Sequence, residues 1–133
     1  MNESLFHGRR ILLAEDEWLI AEEMRLNLEK AGATVVGPVA SVGAALSLIE
    51  SDQIDIAFLD VSLRGQKVFP VAEVLAARGI PFLFTTGYGE MDLPAQWRSA
   101  PRCEKPVNLA TAAQVLTNAG LHREQGADED AVA

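Results

Sequence analysis

Short apolar runs alternate with longer stretches of helical periodicity along most of this chain, and this alternation restricts the fold more than any other feature. Five runs have the length and composition of buried strands: Arg10–Ala14, Thr34–Val39, Ile54–Leu59, Pro81–Thr85 and Arg102–Glu104. The segments between and after them carry apolar residues at helical spacing: Glu17–Ala31, Val42–Glu50, Val68–Arg78 and Leu109–Ala119. Strands that alternate with helices of this length predict βαβ units and a parallel sheet with helices on both faces.

The connections between these elements carry further signals. Ser41 and Asn108 stand directly before predicted helices, where a side-chain oxygen can accept a hydrogen bond from the first turn. Residues Ser62–Lys67 predict a loop after the third strand. The segment Gly87–Pro101 breaks the rhythm because glycines and prolines interrupt it and its apolar residues form no helical stripe. We expect a loop there, with one or two helical turns near Leu93–Arg98.

Length and charge exclude several classes of protein. A chain of 133 residues is long enough for one domain with a single core, which we place at residues 9–120, after an N-terminal extension (1–8) and before an acidic, disordered tail (121–133). A net charge of −8 argues against direct binding to DNA, which requires a basic surface. The single Cys103 fits a reducing compartment, and no apolar run approaches the ~20 residues of a membrane span. We therefore expect a cytoplasmic protein.

Reactive side chains stand at the ends of four predicted strands. Glu15 and Asp16 follow the first, Asp60 the third, Thr86 the fourth and Lys105 the fifth. In an open parallel sheet the carboxyl ends of the strands line one crevice, where ligands bind. Two carboxylates ~4 Å apart at an effective dielectric near 20 repel by roughly 4 kcal/mol, so three of them predict a bound cation or protonation. Oxygen ligands without a Cys/His cluster favour Mg²⁺ over zinc.

The same residue types suit phosphoryl transfer. An Asp carboxylate such as Asp60 can act as a nucleophile toward phosphorus and form an aspartyl phosphate. Such a transfer depends on positioning and charge neutralisation, which a metal, Lys105 and the hydroxyl of Thr86 could supply. Each residue also has a structural interpretation: Glu15 and Asp16 as acids at a helix N-terminus, and Thr86 as an ordinary strand-end threonine. Only their combination favours chemistry.

Four motifs together resemble the receiver domain of bacterial two-component response regulators, from about Arg9 to Ala119. They are ILLAEDE, DIAFLDVSL, FLFTTGY and EKP, in order and on the expected elements. The resemblance implies an α/β fold, a CheY-like or flavodoxin-like doubly wound (βα)5 parallel sheet of order 2-1-3-4-5 with a reduced or irregular fourth helix. It also implies that Asp60 accepts a phosphoryl group, with Mg²⁺, from a sensor histidine kinase or phosphotransfer protein. Such a protein is no enzyme beyond catalysing its own phosphorylation and dephosphorylation.

The resemblance assigns the remaining site residues by motif. The implied metal ligands are Asp16, Asp60, Glu15 (mostly through water) and the backbone carbonyl of Ser62. Thr86 and Lys105 would bind the phosphoryl oxygens. Thr85 competes for the hydroxyl role, but the register of the TTG sequence favours Thr86.

Departures from the family pattern indicate an unusual readout. Arg64 replaces a proline common after the phosphorylated Asp, and Arg102 stands where an aromatic switch residue is expected. The sequence FTTGY resembles the FATGUY subgroup of receivers, which is frequently associated with kinases of the HWE type, so the resemblance implies such a partner. We expect a rearrangement of Gly87–Pro101 on phosphorylation, with Gly87, Tyr88, Gly89 and Arg102 as switch residues.

Three other interpretations stay open. One is a small phosphatase with Asp60 as nucleophile, although Ser62 occupies the position of its second acid. Another is a flavodoxin-like cofactor carrier, although Glu15, Asp16 and Glu17 would repel the phosphate of its cofactor. The third is a receiver-like interaction module that is not phosphorylated. Since 28 residues follow Lys105, we expect no DNA-binding output domain and an output through an unknown downstream protein, or a role as a phosphate sink.

Overall fold

The computed structural model describes residues 5–87 and 93–121. The five strands of the main sheet are β1 (Arg10–Ala14), β2 (Thr34–Val39), β3 (Ile56–Asp60), β6 (Phe82–Thr86) and β7 (Arg102–Glu104). A small hairpin consists of β4 (Ser62–Leu63) and β5 (Gln66–Lys67). The helices are α1 (Trp18–Lys30), α2 (Val42–Ser51), α3 (Phe69–Ala77) and α4 (Leu109–Asn118).

The main sheet is parallel, in the order β2-β1-β3-β6-β7. Without the hairpin strands this is the predicted order 2-1-3-4-5. All five residues of β3 are buried, as expected for the central strand of a sheet covered on both faces. The predicted fold class is therefore confirmed.

Two apolar cores form because side chains alternate across each strand. Ala57 and Leu59 of β3 face the core under α2 and α3, whereas Ile56 and Phe58 face the core under α1 and α4. Both predicted helix caps form: Ser41 Oγ accepts from the N–H of Ala44 at 3.1 Å, and Asn108 Oδ1 accepts from an α4 amide at the same distance.

Two segments differ from the sequence prediction. Residues 62–67 form an antiparallel hairpin rather than a loop, because Arg64 and Gly65 both take the positive φ that a two-residue turn requires. Leu5 and Phe6 fall within the proposed extension 1–8, yet both are buried, and the ring of Phe6 meets that of Phe58 edge-on at 5.7 Å. Leu5 and Phe6 thus contribute to the core under α1 and α4.

Between β6 and β7, the described residues form a short 3₁₀ turn, Ala95–Trp97, in the place of the fourth helix of the alternation, as the sequence predicts. The indole of Trp97 covers β6 edge-on, with ring centroids 5.8 Å from Phe82 and 6.0 Å from Phe84. Residues 122–133, which hold most of the predicted tail, lie outside the described residues, as do Tyr88 and Gly89. Within the described ranges, every helix is too short or too polar to cross a bilayer.

Candidate functional site

The carboxyl ends of the strands bring the predicted residues together at one edge of the sheet. Asp60 is the last residue of β3, and its Cα partner on β6 is Thr85. The next residue, Thr86, pairs with β7, and its carbonyl accepts a hydrogen bond from the backbone N–H of Lys105 at 2.8 Å. This bond attaches the backbone of Lys105 to β6, the strand next to Asp60.

A bulge in the edge strand positions Glu15. Leu12 pairs with Val36 but Ala14 pairs with Val39, so β2 contains one extra residue at this point. The backbone carbonyl of Val39 then accepts a hydrogen bond from the N–H of Glu15 at 2.9 Å. Gly37 makes the bulge feasible: its φ is 107°, and a Cβ there would lie 2.9 Å from the carbonyl oxygen of Leu13.

Three carboxylates form an acidic cluster at this edge. Glu15, Asp16 and Asp60 each offer one oxygen, and these oxygens lie within 4.8 Å of one another. At that separation, with an effective dielectric near 20, two carboxylates repel by about 3.5 kcal/mol. The buried positions of Glu15 and Asp60 prevent water from screening this repulsion. The cluster is therefore stable only with compensating donors or cations.

Backbone amides and one ammonium supply part of this compensation. Glu15 Oε2 accepts from the N–H of Glu17 at 2.9 Å, and Asp60 Oδ1 accepts from the N–H of Ser62 at 3.2 Å. The ammonium of Lys105 donates to Asp60 Oδ2 at 2.9 Å. The same ammonium lies 3.1 Å from Glu15 Oε1, so one partly buried cation bridges the two buried carboxylates.

The pKa values of Glu15, Asp60 and Lys105 reflect this arrangement. Burial raises the pKa of Glu15 from 4.5 to about 7; the amide of Glu17 lowers it, the charge of Asp60 raises it and Lys105 lowers it. Burial also raises the pKa of Asp60, outweighing Lys105 and the amide of Ser62. Burial lowers the pKa of Lys105, but its contacts with Asp60 and Glu15 outweigh that effect and raise it. The site thus holds a permanent cation beside carboxylates that resist ionisation.

The donor set fits a hard divalent cation. Although Glu15 Oε1 is close to Lys105, this buried oxygen has no hydrogen-bond partner among the described residues. The oxygens of Glu15, Asp16 and Asp60 offer oxygen ligands only, the kind that Mg²⁺ prefers. A cation there would also offset the charge of Asp60, which adds to the effect of burial in raising the pKa of Glu15.

The hairpin adds a contact that the sequence analysis did not foresee. The backbone N–H of Arg64 donates to Asp16 Oδ2 at 2.8 Å, across 48 residues of chain. The pair Arg64-Gly65 could have indicated this hairpin, since a two-residue turn with glycine in the second position is typical of tight hairpins. The flanking strands of two residues each are too short to show any alternation in the sequence.

The predicted switch residues are only partly described. The guanidinium of Arg102 donates to the carbonyl oxygen of Arg98 at 3.4 Å, and the Arg98 side chain donates to the carbonyl oxygen of Leu93 at 3.2 Å. Arg102 therefore ties β7 to the 3₁₀ segment in the place where an aromatic residue was expected. Gly87 is half-buried after β6.

The two threonines at the end of β6 lie on opposite faces of the sheet. Thr85 pairs with Asp60 and shares its face, whereas Thr86 shares the face of Phe82 and Phe84, which Trp97 covers. Both side chains are buried. The choice of Thr86 over Thr85 for the hydroxyl role stays a prediction.

Comparisons with known proteins agree with the fold. No protein-family model matches the chain. The solution structure of SdrG from Sphingomonas melonis Fr1 is 44% identical, with a TM-score of 0.74, over 82% of this chain and 93% of that one. The BeF3-activated conformation of SdrG from Pseudomonas melonis Fr1 is 42% identical, with a TM-score of 0.70, over 84% of this chain and 96% of that one.

More distant relatives extend the comparison. The transcriptional regulatory protein PdtaR of Mycobacterium tuberculosis is 30% identical over 93 residues, which are 69% of this chain. The chain spans only 45% of the length of that curated relative. SdrG is a response regulator receiver protein, and PdtaR is a response regulator. With 44% identity to SdrG across nearly the whole of that protein, this chain belongs to the response regulator receiver family.

Proposed function

We propose that Asp60 is the phosphoryl acceptor of this receiver and that Mg²⁺ binds beside it. Phosphorylation of an aspartate is general in the family, and receivers interact with histidine kinases or phosphotransfer proteins. The observation that carries the proposal is the contact of the Lys105 ammonium with Asp60 Oδ2 at 2.9 Å, next to two further carboxylates. A nucleophilic carboxylate, a cation for the phosphoryl oxygens and a metal-binding acid pair then share one crevice.

The residues of the chain perform most of the transfer. A carboxylate oxygen of Asp60 forms the new O–P bond while the P–N bond to the donor histidine breaks, and the imidazole leaves with the bonding electrons. Glu15, Asp16, Asp60 and the backbone carbonyl of Ser62 would hold the metal, which offsets negative charge on the phosphoryl oxygens. The Lys105 ammonium passes from Asp60 to one of those oxygens without leaving the crevice.

An apolar surface beside the crevice suits a protein donor. Trp18 and Leu19 begin α1 only two residues beyond Asp16, and they are 72% and 74% exposed. A groove of about 230 Å³ between α1 and the chain after β7 runs alongside, lined partly by Met24 and Pro106. Exposed large apolar side chains next to a charged site are typical of protein contacts. A sensor kinase of the HWE type is the partner we propose, and a cytoplasmic location agrees with such a donor.

The decisive experiment is intact mass after incubation with a small phosphodonor and Mg²⁺. Wild type should gain one phosphoryl group and Asp60→Asn none, whereas Ser62→Ala, which keeps the backbone carbonyl, should still gain it. No gain in wild type would leave the interpretation as an unphosphorylated interaction module. Gain by Asp60→Asn would place the acceptor elsewhere.

Two threonine variants separate the hydroxyl candidates. If Thr86 binds a phosphoryl oxygen, Thr86→Val should slow phosphorylation and Thr85→Val should not. The reverse result would assign the role to Thr85, the residue paired with Asp60.

The output is a rearrangement around the 3₁₀ segment. Thr86 shares a sheet face with Phe82 and Phe84, so a shift of Thr86 toward the phosphoryl group would disturb their contacts with Trp97. Amide exchange of residues 93–100, with and without a phosphate mimic plus Mg²⁺, tests this. Unchanged protection there would contradict the switch and leave a phosphate-sink role. With a net charge of −8, we propose a protein target and no direct DNA contact.

A further inference from the structure

The hairpin that follows Asp60 reaches across the crevice to the other metal-ligand loop. Its turn residues are Arg64 and Gly65, and the N–H of Arg64 donates to Asp16 Oδ2 at 2.8 Å. The hairpin itself is firmly anchored: Leu63 and Val68 are fully buried, and the N–H of Val68 donates to the carbonyl oxygen of Val61 at 2.9 Å. These contacts fix the position of the turn relative to the end of β3.

The direction of this N–H depends on an unusual backbone conformation. Arg64 has a φ of 50°, the single positive value among the non-glycine residues that the structure describes, and Gly65 has a φ of 82°. Two successive positive values are those of a type I′ turn. Proline, the residue that receivers commonly carry at this position, has neither an N–H nor access to positive φ. The contact to Asp16 thus requires a residue other than proline at position 64.

We propose that the peptide N–H of Arg64 is a positioning group for Asp16 and thereby sets the affinity of the site for Mg²⁺. The inference rests on the proposed function, since it takes Asp16 as a metal ligand. The amide holds one oxygen of Asp16, and a carboxylate oxygen of Asp16 lies within 4.8 Å of oxygens of Glu15 and Asp60. The hairpin fixes the carboxylate before the metal arrives, and less ordering remains for binding to impose.

The arrangement completes a set of donors around the acidic cluster. Glu15 is held by the amide of Glu17, Asp60 by the amide of Ser62, and Asp16 by the amide of Arg64. Each of the first two donors lies two residues beyond the carboxylate that it holds. The third comes from a residue 48 positions away, so among these three contacts it alone joins two distant segments of the chain.

Matched substitutions in the full chain test the role of the amide. Arg64→Pro removes the N–H and the positive φ, and the loss of such a supporting hydrogen bond should weaken Mg²⁺ binding by about 10- to 100-fold. Arg64→Gly keeps the N–H and accepts the same φ, so its dissociation constant, measured by titration calorimetry, should match wild type. Equal binding by Pro and wild type overturns the proposal. Equal loss in the Pro and Gly variants overturns it too, because the guanidinium would then be responsible.

Amide hydrogen exchange provides a second measurement if the proline variant fails to fold. In metal-free wild type the Arg64 amide should be protected, and Asp16→Ala should remove that protection while leaving amides of β3 unchanged. An Arg64 amide that exchanges equally fast in both proteins overturns the proposal. A wild type that shows this protection but binds no Mg²⁺ would instead contradict the proposed function, so the two failures are distinguishable.

Discussion

The most informative perturbation is Glu15→Gln, because burial of the Glu15 carboxylate on folding opposes its ionisation. Its side chain is 1% exposed, and its pKa rises from 4.5 to about 7. At about 1.36 kcal/mol for each tenfold change in proton affinity, this shift corresponds to about 3 kcal/mol. A carboxyl whose pKa is raised by folding binds more protons in the folded state. Wild-type stability therefore falls between about pH 4.5 and pH 7, and it stays lower above pH 7.

Glu15→Gln removes this dependence while keeping an oxygen that can accept from the N–H of Glu17. The free energy of unfolding, measured with urea in metal-free buffer, should be similar for variant and wild type near pH 4.5. At pH 8 the variant should be more stable by about 2 to 3 kcal/mol. Saturating Mg²⁺ should stabilise wild type and reduce the difference, since the cation offsets the buried charge.

Glu17→Gln is the matched control for this experiment. It removes the same charge at a side chain that is 66% exposed and 4.0 Å from Lys105, so the stability difference should be small and nearly independent of pH. A Glu15→Gln protein less stable than wild type at pH 8, or a difference equal at both pH values, would refute the reasoning. Either result would mean that Lys105 compensates the ionised Glu15 fully.

Variants at three further positions, with two matched controls, test the structural support of the fold and the site, each by urea unfolding. Phe6→Ala should lose about 3–5 kcal/mol because Phe6 is fully buried, and a loss below about 1 kcal/mol would mean that the first residues do not belong to the core. Gly37→Ala should lose about 1–3 kcal/mol, since its φ is 107° and the new Cβ would lie 2.9 Å from the Leu13 carbonyl oxygen. Gly43→Ala, where a Cβ meets no atom within 4 Å and α2 favours alanine, should instead stabilise by up to about 1 kcal/mol. Asn108→Ala should lose about 1 kcal/mol through the lost cap of α4, whereas Asn108→Asp should keep it.

The fold was predictable because its signals are local. Apolar runs of strand length and helical stretches repeat along the chain, and each was visible without knowledge of its neighbours. Ser41 and Asn108 cap the predicted helices, since a capping side chain bonds to an amide only three residues away. The reduced fourth helix was equally visible, because glycine and proline interrupt that segment in the sequence itself.

The features that the sequence did not predict depend on contacts between distant segments. Burial of Phe6 requires the ring of Phe58, and the bulge at Gly37 is defined only by the register of β2 against β1. Whether Trp18 packs or faces solvent depends on how α1 lies on the sheet. None of these relations leaves a pattern within a short window of sequence.

The sequence by itself determined the alternating architecture and which polar residues follow each strand, because both are local features. The parallel strand order then places those strand ends at one edge. Only the tertiary structure decided how the charges there are shared. One lysine bridges Glu15 and Asp60, and an arginine amide holds Asp16 from 48 residues away. Electrostatic energy depends on distances of a few ångströms between residues far apart in the chain, and spacing along a sequence does not contain those distances.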